Sequence, residues 1–248
     1  MKAMVLAAGL GTRLRPFTND RPKALVEVAG RTLLEITLSR LREFGVRDVI
    51  INVHHFADLV EHYLEANNNF GMHIELSRED DLLLDTGGGL KKAGCFFQDQ
   101  AGVEDPFILH NVDVISNIDL NKMLKFHMEH AALATLAVRK RETSRYLLFD
   151  SALQLCGRKA ARDSKTELVR PVSNPEPLAF SGIHIISPRL ISMITEQGVF
   201  SIIQTYMRLA AGGEKILAFR SDEYYWRDLG KPENISQAAQ DLESGRIP

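Results

Sequence analysis

The sequence is poor in cysteine, has no marked excess of either charge and contains no long hydrophobic run. Its two cysteines, Cys95 and Cys156, are not spaced as C-x-x-C and cannot form a disulfide-rich framework. Lysine and arginine number 30 against 32 aspartates and glutamates, and the net charge is -2. That balance argues against a nucleic-acid-binding protein with a strongly basic face. Small metabolites remain open as ligands.

The absence of long apolar runs also bears on location. No run approaches the roughly 20 residues that a membrane span needs. The first run, Val5 to Ala8, ends at Gly9 and is shorter than the core of a signal peptide, which has roughly 7–15 residues. The low cysteine content fits a reducing compartment. We therefore expect a cytoplasmic protein with no membrane partner and no nucleic-acid partner.

The overall composition is that of an ordinary globular protein. Hydrophobic residues make up 45% of the chain and charged residues 25%, which is enough for a packed core and gives no reason to expect disorder. At roughly 100–200 residues per domain, 248 residues suit one large domain or a domain with an added lobe.

Strand and helix patterns alternate through the first half of the chain. A short apolar run at residues 2–7 precedes a helical pattern at 31–44 and a β-branched strand at 48–53, which is typical of a βαβ unit. The alternation continues with a helix at 57–67, a strand at 73–76, a helix at 89–96 and a strand at 106–110. This pattern predicts an α/β fold with a doubly wound, mixed but mainly parallel sheet. Ligands bind such sheets beyond the carboxyl ends of the strands.

The pattern changes after residue 138. Strand-like stretches at 146–149, 153–155 and 178–186, interrupted by the polar run 158–165, predict a small β-rich lid over the sheet. Helices at 188–195 and 201–211, a strand at 215–219 and a helix at 232–244 follow. We therefore expect a single domain over 1–248, in which residues 1–138 form a doubly wound α/β core, about 139–187 form the lid and 188–248 complete the core.

The segment LAAGLGTRLRPFTNDRPK, residues 6–23, carries the strongest chemical signal. Gly9 and Gly11 allow backbone N–H groups to approach an anion, while Arg13 and Lys23 add a planar guanidinium and a point charge. This combination is suited to a polyphosphate. Leu14 breaks the G-x-G-x-x-G pattern of a dinucleotide site, and a P-loop GK[ST] is absent. A glycine turn with solvated arginines remains the alternative.

Two further segments stand near strand ends. Asp113 follows the buried strand FILHNVD, where a carboxylate is a natural Mg²⁺ ligand or, alternatively, a helix cap. The segment DTGGGL, residues 85–90, predicts a tight turn immediately before a helix, with glycine backbone exposed to a flat ligand. His54 and His55 lack further ligands at metal-site spacing and indicate a polar loop.

These motifs together resemble the sugar-phosphate nucleotidyltransferases, also called NDP-sugar pyrophosphorylases. The resemblance extends through PKALVEVAGRTLLE, DTGGGL, HNVD, FSGIHI and YWRDLGKPE, and so covers nearly the whole chain. It is strongest to the short bacterial subgroup that is similar to N-acetylmuramate 1-phosphate uridylyltransferases. The fold it implies is a Rossmann-like nucleotidyltransferase fold in which the lid binds the sugar.

The resemblance also implies roles for individual residues. Arg13, Lys23 and Asp113 would be catalytic, and Asp113 with Asp228 would hold Mg²⁺. Asn111 would contact hydroxyls of the sugar or of the ribose, and Ser181 and Gly182 would contact the sugar. The nucleotide would lie against Ala8, Gly9, Gly11, Thr12, Arg13, Lys23, Gly87 and Gly88.

Two positions depart from the pattern of many relatives. The stretch VSNPEP, residues 172–177, has no lysine where larger relatives carry E-K-P, and Leu147 stands where many carry glycine after tyrosine. The identity of the sugar is therefore open at this point.

The implied reaction joins an NTP to a sugar 1-phosphate and releases pyrophosphate. UTP with N-acetylmuramate 1-phosphate is favoured, and GTP with mannose or heptose 1-phosphate is the alternative. Two other classes are a non-catalytic nucleotide-sugar-binding regulatory protein and a dehydrogenase, the latter weakened by Leu14. We expect a monomer or a small homo-oligomer.

Overall fold

The computed structural model describes residues 1–98, 105–161 and 165–245. Strands and helices alternate as the sequence predicts, so the α/β fold class is confirmed. The strands are β1 (Lys2–Leu6), β2 (Glu27–Val28), β3 (Arg31–Thr32), β4 (Asp48–Val53), β5 (His73–Arg78), β6 (Phe107–Asn111), β7 (Val114–Ser116), β8 (Ala134–Arg139), β9 (Arg145–Phe149), β10 (Leu155–Ala160), β11 (Thr166–Leu168), β12 (Glu176–Ile186), β13 (Ile216–Arg220) and β14 (Trp226–Asp228). The helices are α1 (Leu33–Glu43), α2 (Ala57–Ala66), α3 (Asp85–Lys92), α4 (Leu120–Glu129), α5 (Arg189–Ser192), α6 (Ile202–Ala211) and α7 (Pro232–Glu243).

The central sheet has the order β5-β4-β1-β6-β12-β8-β13. The first four strands are parallel, β12 is antiparallel to both of its neighbours, and β13 is parallel to β8. In β1, Ala3 and Val5 pack into one core cluster and Met4 into the other, and all three are 0% exposed. A strand buried on both faces is typical of a doubly wound sheet. None of the helices in the described ranges has the length and hydropathy that a membrane span requires.

Helix α1 shows how the sequence sets an element and attaches it to the sheet. The hydroxyl of Thr32 accepts a hydrogen bond from the N–H of Glu35 (3.0 Å), which is one half of a capping box. Leu34, Leu38 and Leu41 follow at helical spacing and are fully buried in the core. On the same helix, the guanidinium of Arg40 donates to Ser116 Oγ (2.5 Å) and so ties α1 to β7.

The lid is joined to the central sheet through β12. Residues 176–178 of this strand pair with β9, whereas residues 183–186 pair with β6 in the central sheet. Strands β10 and β11 extend the lid beyond β9. The prediction of a β-rich lid is therefore correct in kind, and its division from the core at residues 138 and 187 remains a prediction.

Two predicted boundaries in the lid are wrong. Residues 153–155 are not a strand by themselves, because Asp150 Oδ1 accepts hydrogen bonds from the N–H groups of Ala152 and Gln154 (both 2.9 Å) and closes a turn there. Strand β10 then runs through Arg158 and Lys159, within the polar run expected to be a connection. These side chains are exposed, and Arg158 pairs across to Glu167 (2.7 Å), so charge and strand structure are compatible. Residues 162–164 of that run lie outside the described residues.

The DTGGGL segment is not a turn before a helix, because α3 begins at Asp85 and contains all three glycines. The N–H groups of Gly87 and Gly88 donate to the carbonyl oxygen of Phe200 (2.9 and 3.2 Å). A Cβ at Gly87 would stand 2.4 Å from the Phe200 ring, and one at Gly88 would stand 2.6 Å from the carbonyl oxygen of Gly198. The glycines therefore allow α3 to pack against residues 198–202, and their backbone is not free to face a ligand.

Three histidines are buried in this core. His127 lies between the hydroxyls of Thr135 and Ser187, at 3.0 Å from each. Burial lowers the pKa of His127 to about 4, and it lowers the pKa of His110 and of His184 to about 3. All three imidazoles are therefore neutral in the folded protein at neutral pH.

We predict that acid destabilises the protein partly through His127. Unfolded histidine has a pKa of about 6.5, so below that pH the unfolded chain binds a proton at His127. The folded chain does not bind this proton until about pH 4, and the free energy of unfolding therefore falls between these pH values. Between pH 7 and 5 this costs roughly 2 kcal/mol of the free energy of unfolding. In His127→Gln, the decrease in the free energy of unfolding between pH 7 and 5, measured by urea unfolding, should be smaller by that amount. An equal decrease in both proteins would contradict the lowered pKa of His127.

A second prediction concerns the packing of α3. Alanine in place of a helical glycine normally stabilises by roughly 0.5–1 kcal/mol, but overlap in a packed core costs roughly 1–3 kcal/mol. Gly87→Ala should therefore lower the free energy of unfolding by about 1–2 kcal/mol, measured by urea unfolding. The nearest contact for a Cβ at Gly212 is an ordinary 3.4 Å, so Gly212→Ala is the matched control and should change stability little. A fully stable Gly87→Ala protein would rule out the close approach of Phe200.

Candidate active site

The glycine loop begins where β1 ends, at the carboxyl edge of the parallel strands. Gly11 has a φ of 63°, and its carbonyl oxygen accepts hydrogen bonds from the N–H of Leu14 (2.8 Å) and the hydroxyl of Thr18 (2.9 Å). A Cβ at Gly11 would stand 2.9 Å from Thr18 Cγ2. Backbone conformation and close packing therefore both require glycine here. Thr12 and Arg13 follow in an exposed turn of 3-10 helix.

A cavity of 380 Å³ opens beside this loop, and we call it the glycine-loop cavity. Five of the residues predicted to form the site line it together: Ala8, Gly9, Lys23, Asn111 and Asp113. Gly87 and Gly88 do not line it, since they pack against residues 198–202, and α3 instead contributes Asp85 and Thr86.

An ion pair joins two of these residues across 90 positions of sequence. Lys23 Nζ donates to Asp113 Oδ2, and the lysine is only 9% exposed. The parallel register explains the meeting, because Leu6 at the end of β1 pairs with Asn111 at the end of β6. The chain therefore leaves both strands at the same edge of the sheet. A buried ammonium held against a carboxylate places both charges at one wall of the cavity.

Asp228 is brought to the same edge by a second, smaller sheet. Strand β14 pairs antiparallel with β7, so that Asp228 stands opposite Val114. The N–H of Leu229 also donates to the carbonyl oxygen of Asp113 (2.8 Å). The two aspartates predicted as a pair therefore lie on adjoining backbone segments.

Asp228 lines a neighbouring cavity of 450 Å³, which we call the arginine cavity. The N–H of Gly230 donates to Asp228 Oδ1 (2.6 Å). A Cβ at Gly230 would stand 2.7 Å from both Arg13 Nη2 and Asp228 Oδ1, so this glycine lets a cation and a carboxylate reach the same stretch of backbone. The cavity is lined by Arg13, Arg141, Thr143, Trp226, Arg227, Asp228, Lys231 and Asn234.

The chemistry of these donors fits Mg²⁺. That ion is usually held by one or two carboxylates, with substrate phosphates and water completing its coordination. Asp113 and Asp228 provide two carboxylates, and no cluster of three or more His, Cys, Asp and Glu side chains suited to a metal occurs among the described residues. The set therefore fits an ion that arrives with a polyphosphate. His54 is engaged otherwise, with Nδ1 at 2.5 Å from the carbonyl oxygen of Glu79.

A buried polar network that the sequence pattern did not single out supports the glycine loop. Asn52 Oδ1 accepts from the N–H of Ala7 (2.8 Å), and its amide donates to Glu79 Oε1 (2.7 Å). Glu79 Oε2 accepts from the N–H of Leu84 (2.8 Å), immediately before α3. A Cβ at Gly89 would stand 2.8 Å from both side chains, which explains the third glycine of α3. The sequence signal that could have identified Asn52 and Glu79 is their position, since they stand at or just beyond the carboxyl ends of β4 and β5.

The FSGIHI segment plays a different part from the one expected. Ser181 is 0% exposed and its hydroxyl has no hydrogen-bond partner in the part of the chain that the structure describes, whereas its carbonyl oxygen accepts from Trp226 Nε1 (2.7 Å). Gly182 has a φ of 78°, and a Cβ there would stand 2.8 Å from Val114 Cγ2 and 3.0 Å from Asn111 Nδ2. Both residues bring β12 close to β6, β7 and β14, and neither lines the cavity beneath the lid. Direct contact of the Ser181 side chain with a sugar is therefore not supported by this geometry.

The cavity beneath the lid has a volume of 630 Å³, and we call it the lid cavity. Tyr146, Leu147 and Phe180 give it an apolar wall. Its charged lining consists of Arg145, Arg158, Lys159, Lys165 and Glu167. Arg158 is paired with Glu167, so three cations remain without an ion pair among the described residues. The lid cavity is therefore positively charged.

Three proteins with similar sequences are named as enzymes that transfer a nucleotide to a sugar phosphate. The chain is 38% identical to N-acetylmuramate alpha-1-phosphate uridylyltransferase of Caulobacter vibrioides, over 93% of this chain and 92% of that protein. It is 28% identical to UTP--glucose-1-phosphate uridylyltransferase of Synechocystis sp., over 100% of this chain and 64% of that protein. It is 30% identical to mannose-1-phosphate guanylyltransferase catalytic subunit beta of Danio rerio, over 95% and 62%. The chain thus spans less than two thirds of the latter two relatives.

Solved structures share the fold. HddC from Yersinia pseudotuberculosis, complexed with GMP-PN, superposes with a TM-score of 0.76 at 22% identity, over 97% of this chain and 99% of that one. A UDP-glucose pyrophosphorylase complexed with UDP-glucose has a TM-score of 0.75 at 18% identity, over 99% of both chains. The sequence model of the nucleotidyl transferase family matches residues 2–245. The resemblance inferred from the motifs is confirmed, and the chain belongs to the nucleotidyl transferase family.

Proposed function

We propose that the protein couples UTP to N-acetylmuramate 1-phosphate, giving the UDP-sugar and pyrophosphate. The observation that carries the proposal is the buried contact between Lys23 and Asp113 in the glycine-loop cavity, beside a loop suited to phosphates. The similarity to the Caulobacter vibrioides enzyme supports these substrates, since 38% identity extends over 92% of that protein. Low cysteine content and the absence of a membrane span among the described residues are compatible with a cytoplasmic enzyme.

The first task of the site is to hold the triphosphate. Arg13 and the amides of the glycine loop bind the β- and γ-phosphates, because N–H donors and a planar guanidinium match their oxygens. Lys23 neutralises charge at the α-phosphate and at the departing pyrophosphate. Asp113 and Asp228 would hold Mg²⁺, which would supply positive charge and Lewis acidity at the phosphates.

The chemical step needs little proton transfer. An oxygen of the sugar phosphate attacks the α-phosphorus, the new P–O bond forms, and the P–O bond to pyrophosphate breaks with its electron pair leaving on pyrophosphate. The nucleophile is already an anion, so no general base is required. The contribution of the protein is therefore positioning and stabilisation of negative charge.

The lid cavity supports an anionic sugar over a neutral one. N-acetylmuramate carries a carboxylate on its lactyl group, whereas mannose and glucose carry none. The cations that line the cavity, Arg145, Lys159 and Lys165, would attract that carboxylate, and the apolar residues of its lining would adjoin the acetyl and lactyl carbons. This charge balance favours the muramate substrate over GTP with mannose 1-phosphate, for which the Danio rerio relative is named.

We predict that Lys23→Ala and Asp113→Ala each lower turnover about 1,000-fold, because each removes a charged group that stabilises the transition state. At about 1.36 kcal/mol for each tenfold change, this loss corresponds to about 4 kcal/mol. Pyrophosphate release with UTP, Mg²⁺ and N-acetylmuramate 1-phosphate measures this loss, with GTP as the comparison nucleotide. Lys125→Ala is the matched control, since Lys125 lies on α4 and lines neither cavity. Wild-type turnover by either site variant would remove the assignment.

We further predict that the wild-type protein prefers N-acetylmuramate 1-phosphate to N-acetylglucosamine 1-phosphate, which lacks the lactyl carboxylate. Replacing Arg145, Lys159 and Lys165 together by glutamine should raise the KM for the muramate substrate about tenfold, since exposed charges contribute up to about 1 kcal/mol each and not fully additively. The KM for the glucosamine substrate should change little. Equal changes for the two sugars would count against recognition of the carboxylate.

A further inference from the structure

The arginine cavity contains more positive charge than its own carboxylates balance. Arg13, Arg141, Arg227 and Lys231 line it together with Asp228. Arg227 is paired outside the cavity with Asp241 (2.7 Å). The remaining cations thus face a single carboxylate, which leaves a surplus that favours an anionic ligand.

Arg141 is the most constrained of these cations. Its guanidinium carbon lies 4.4 Å from the centroid of the Trp226 ring, and Nη2 donates to the carbonyl oxygen of Phe180 (3.0 Å). Nη1 donates to the carbonyl oxygen of Glu142 (3.3 Å), while Nε is buried and has no hydrogen-bond partner among the described residues. Native proteins rarely leave a buried donor of this kind unsatisfied without a functional reason.

Burial also makes the charged form of Arg141 less stable than it would be in water. Burial is the main influence and lowers the pKa of the Arg141 guanidinium, opposed by the nearby Asp228 carboxylate. Arg141 makes no ion pair with any described residue. An anion in the arginine cavity that bound the guanidinium N–H groups facing it would offset this desolvation.

The Trp226 ring, on which Arg141 stacks, is held in place by the core. Trp226 Nε1 donates to the carbonyl oxygen of Ser181 (2.7 Å), so the indole ring is tied to the buried part of β12. A guanidinium stacked on a fixed ring loses less conformational freedom on binding an oxyanion than a free one does. The cation is therefore prepared for a planar, two-point contact.

The position of Arg141 indicates which anion it meets. Thr143 lines both the arginine cavity and the lid cavity, and Phe180, which holds Arg141, also lines the lid cavity. Asp228 and Arg13 lie in the same cavity as Arg141. Arg141 therefore stands between the space proposed for the sugar and the groups proposed for the metal and the triphosphate.

We propose that Arg141, stacked on Trp226, binds the phosphate group of the sugar 1-phosphate and orients its attacking oxygen. This inference rests on the proposed function. The guanidinium fork would take two phosphate oxygens and leave the third directed toward the α-phosphate of the nucleotide. Lys231 and Arg13 remain available in the same cavity for the phosphates of the nucleotide.

The experiment compares Arg141→Met, Arg141→Lys and Arg139→Met in steady-state assays of pyrophosphate release. Arg141→Met should raise the KM for N-acetylmuramate 1-phosphate at least 30-fold and leave the KM for UTP within threefold. Arg141→Lys keeps the charge and loses the planar fork, so its KM should lie between those of the wild type and Arg141→Met. Arg139 lies near the same ring, at 5.8 Å from its centroid, but does not line the cavity, so Arg139→Met should behave as wild type.

A second measurement separates phosphate recognition from a general loss of structure. The binding of N-acetylmuramate and of its 1-phosphate is compared by isothermal titration calorimetry without nucleotide, in the wild type and in Arg141→Met. The variant should lose affinity for the phosphorylated ligand alone. If Arg141→Met does not fold, as judged by urea unfolding, the same comparison is made with Arg141→Lys.

Several results would overturn the inference. An unchanged KM for the sugar phosphate, an equal loss of affinity for N-acetylmuramate and its 1-phosphate, or a rise of KM confined to UTP would each do so, the last by assigning Arg141 to the triphosphate. In each of these cases wild-type turnover leaves the proposed function standing. A wild-type protein that releases no pyrophosphate with any NTP and sugar 1-phosphate would remove the proposed function and this inference together.

Discussion

The register between β1 and β6 is the constraint on which the site depends. Leu6 pairs with Asn111, and the N–H of Val112 continues the ladder by donating to the carbonyl oxygen of Leu6 (3.1 Å). Both strands therefore end at one level, and the glycine loop and Asp113 emerge side by side. A shift of one residue would turn the side chains of β1 to the opposite faces, and the double-sided burial of Ala3, Met4 and Val5 opposes that shift. Packing of the core thus sets the geometry of the polar site.

Glycine supplies the second constraint, by letting separate segments approach one another. Gly87 and Gly88 admit residues 198–202 against α3, Gly182 admits β7 against β12, and Gly230 admits Arg13 beside Asp228. At each position a single methyl group would overlap a distant part of the chain. The glycines therefore carry long-range structural information, although each lies in a short motif that is easily taken for a flexible loop.

This explains what could and could not be predicted from the sequence. The alternating strands, and the emergence of the glycine loop and Asp113 at one edge of the sheet, follow from local patterns and from the rule that parallel strands end at one edge. The role of the DTGGGL glycines depends on Phe200, more than 100 residues away, and no local pattern records that contact. The network of Asn52 and Glu79 was missed for the same reason, since each residue alone is an ordinary polar side chain. The burial of Ser181 likewise depends on tertiary packing, which its local motif does not record.

The sharing of β12 between the two sheets has a mechanical consequence. This one strand carries the first lid pairing at residues 176–178, the Phe180 carbonyl that holds Arg141, and the Ser181 carbonyl that holds Trp226. Its pairing with β8 is interrupted between Phe180 and His184, where Gly182 adopts positive φ. If an entering ligand moved the lid, β12 would therefore bend most easily at this irregularity, beside the strand that ends in Asp228. Strand β12 is therefore one backbone segment shared by the lid and by the wall of the arginine cavity, so a displacement of the lid would be passed along it to Arg141 and Trp226.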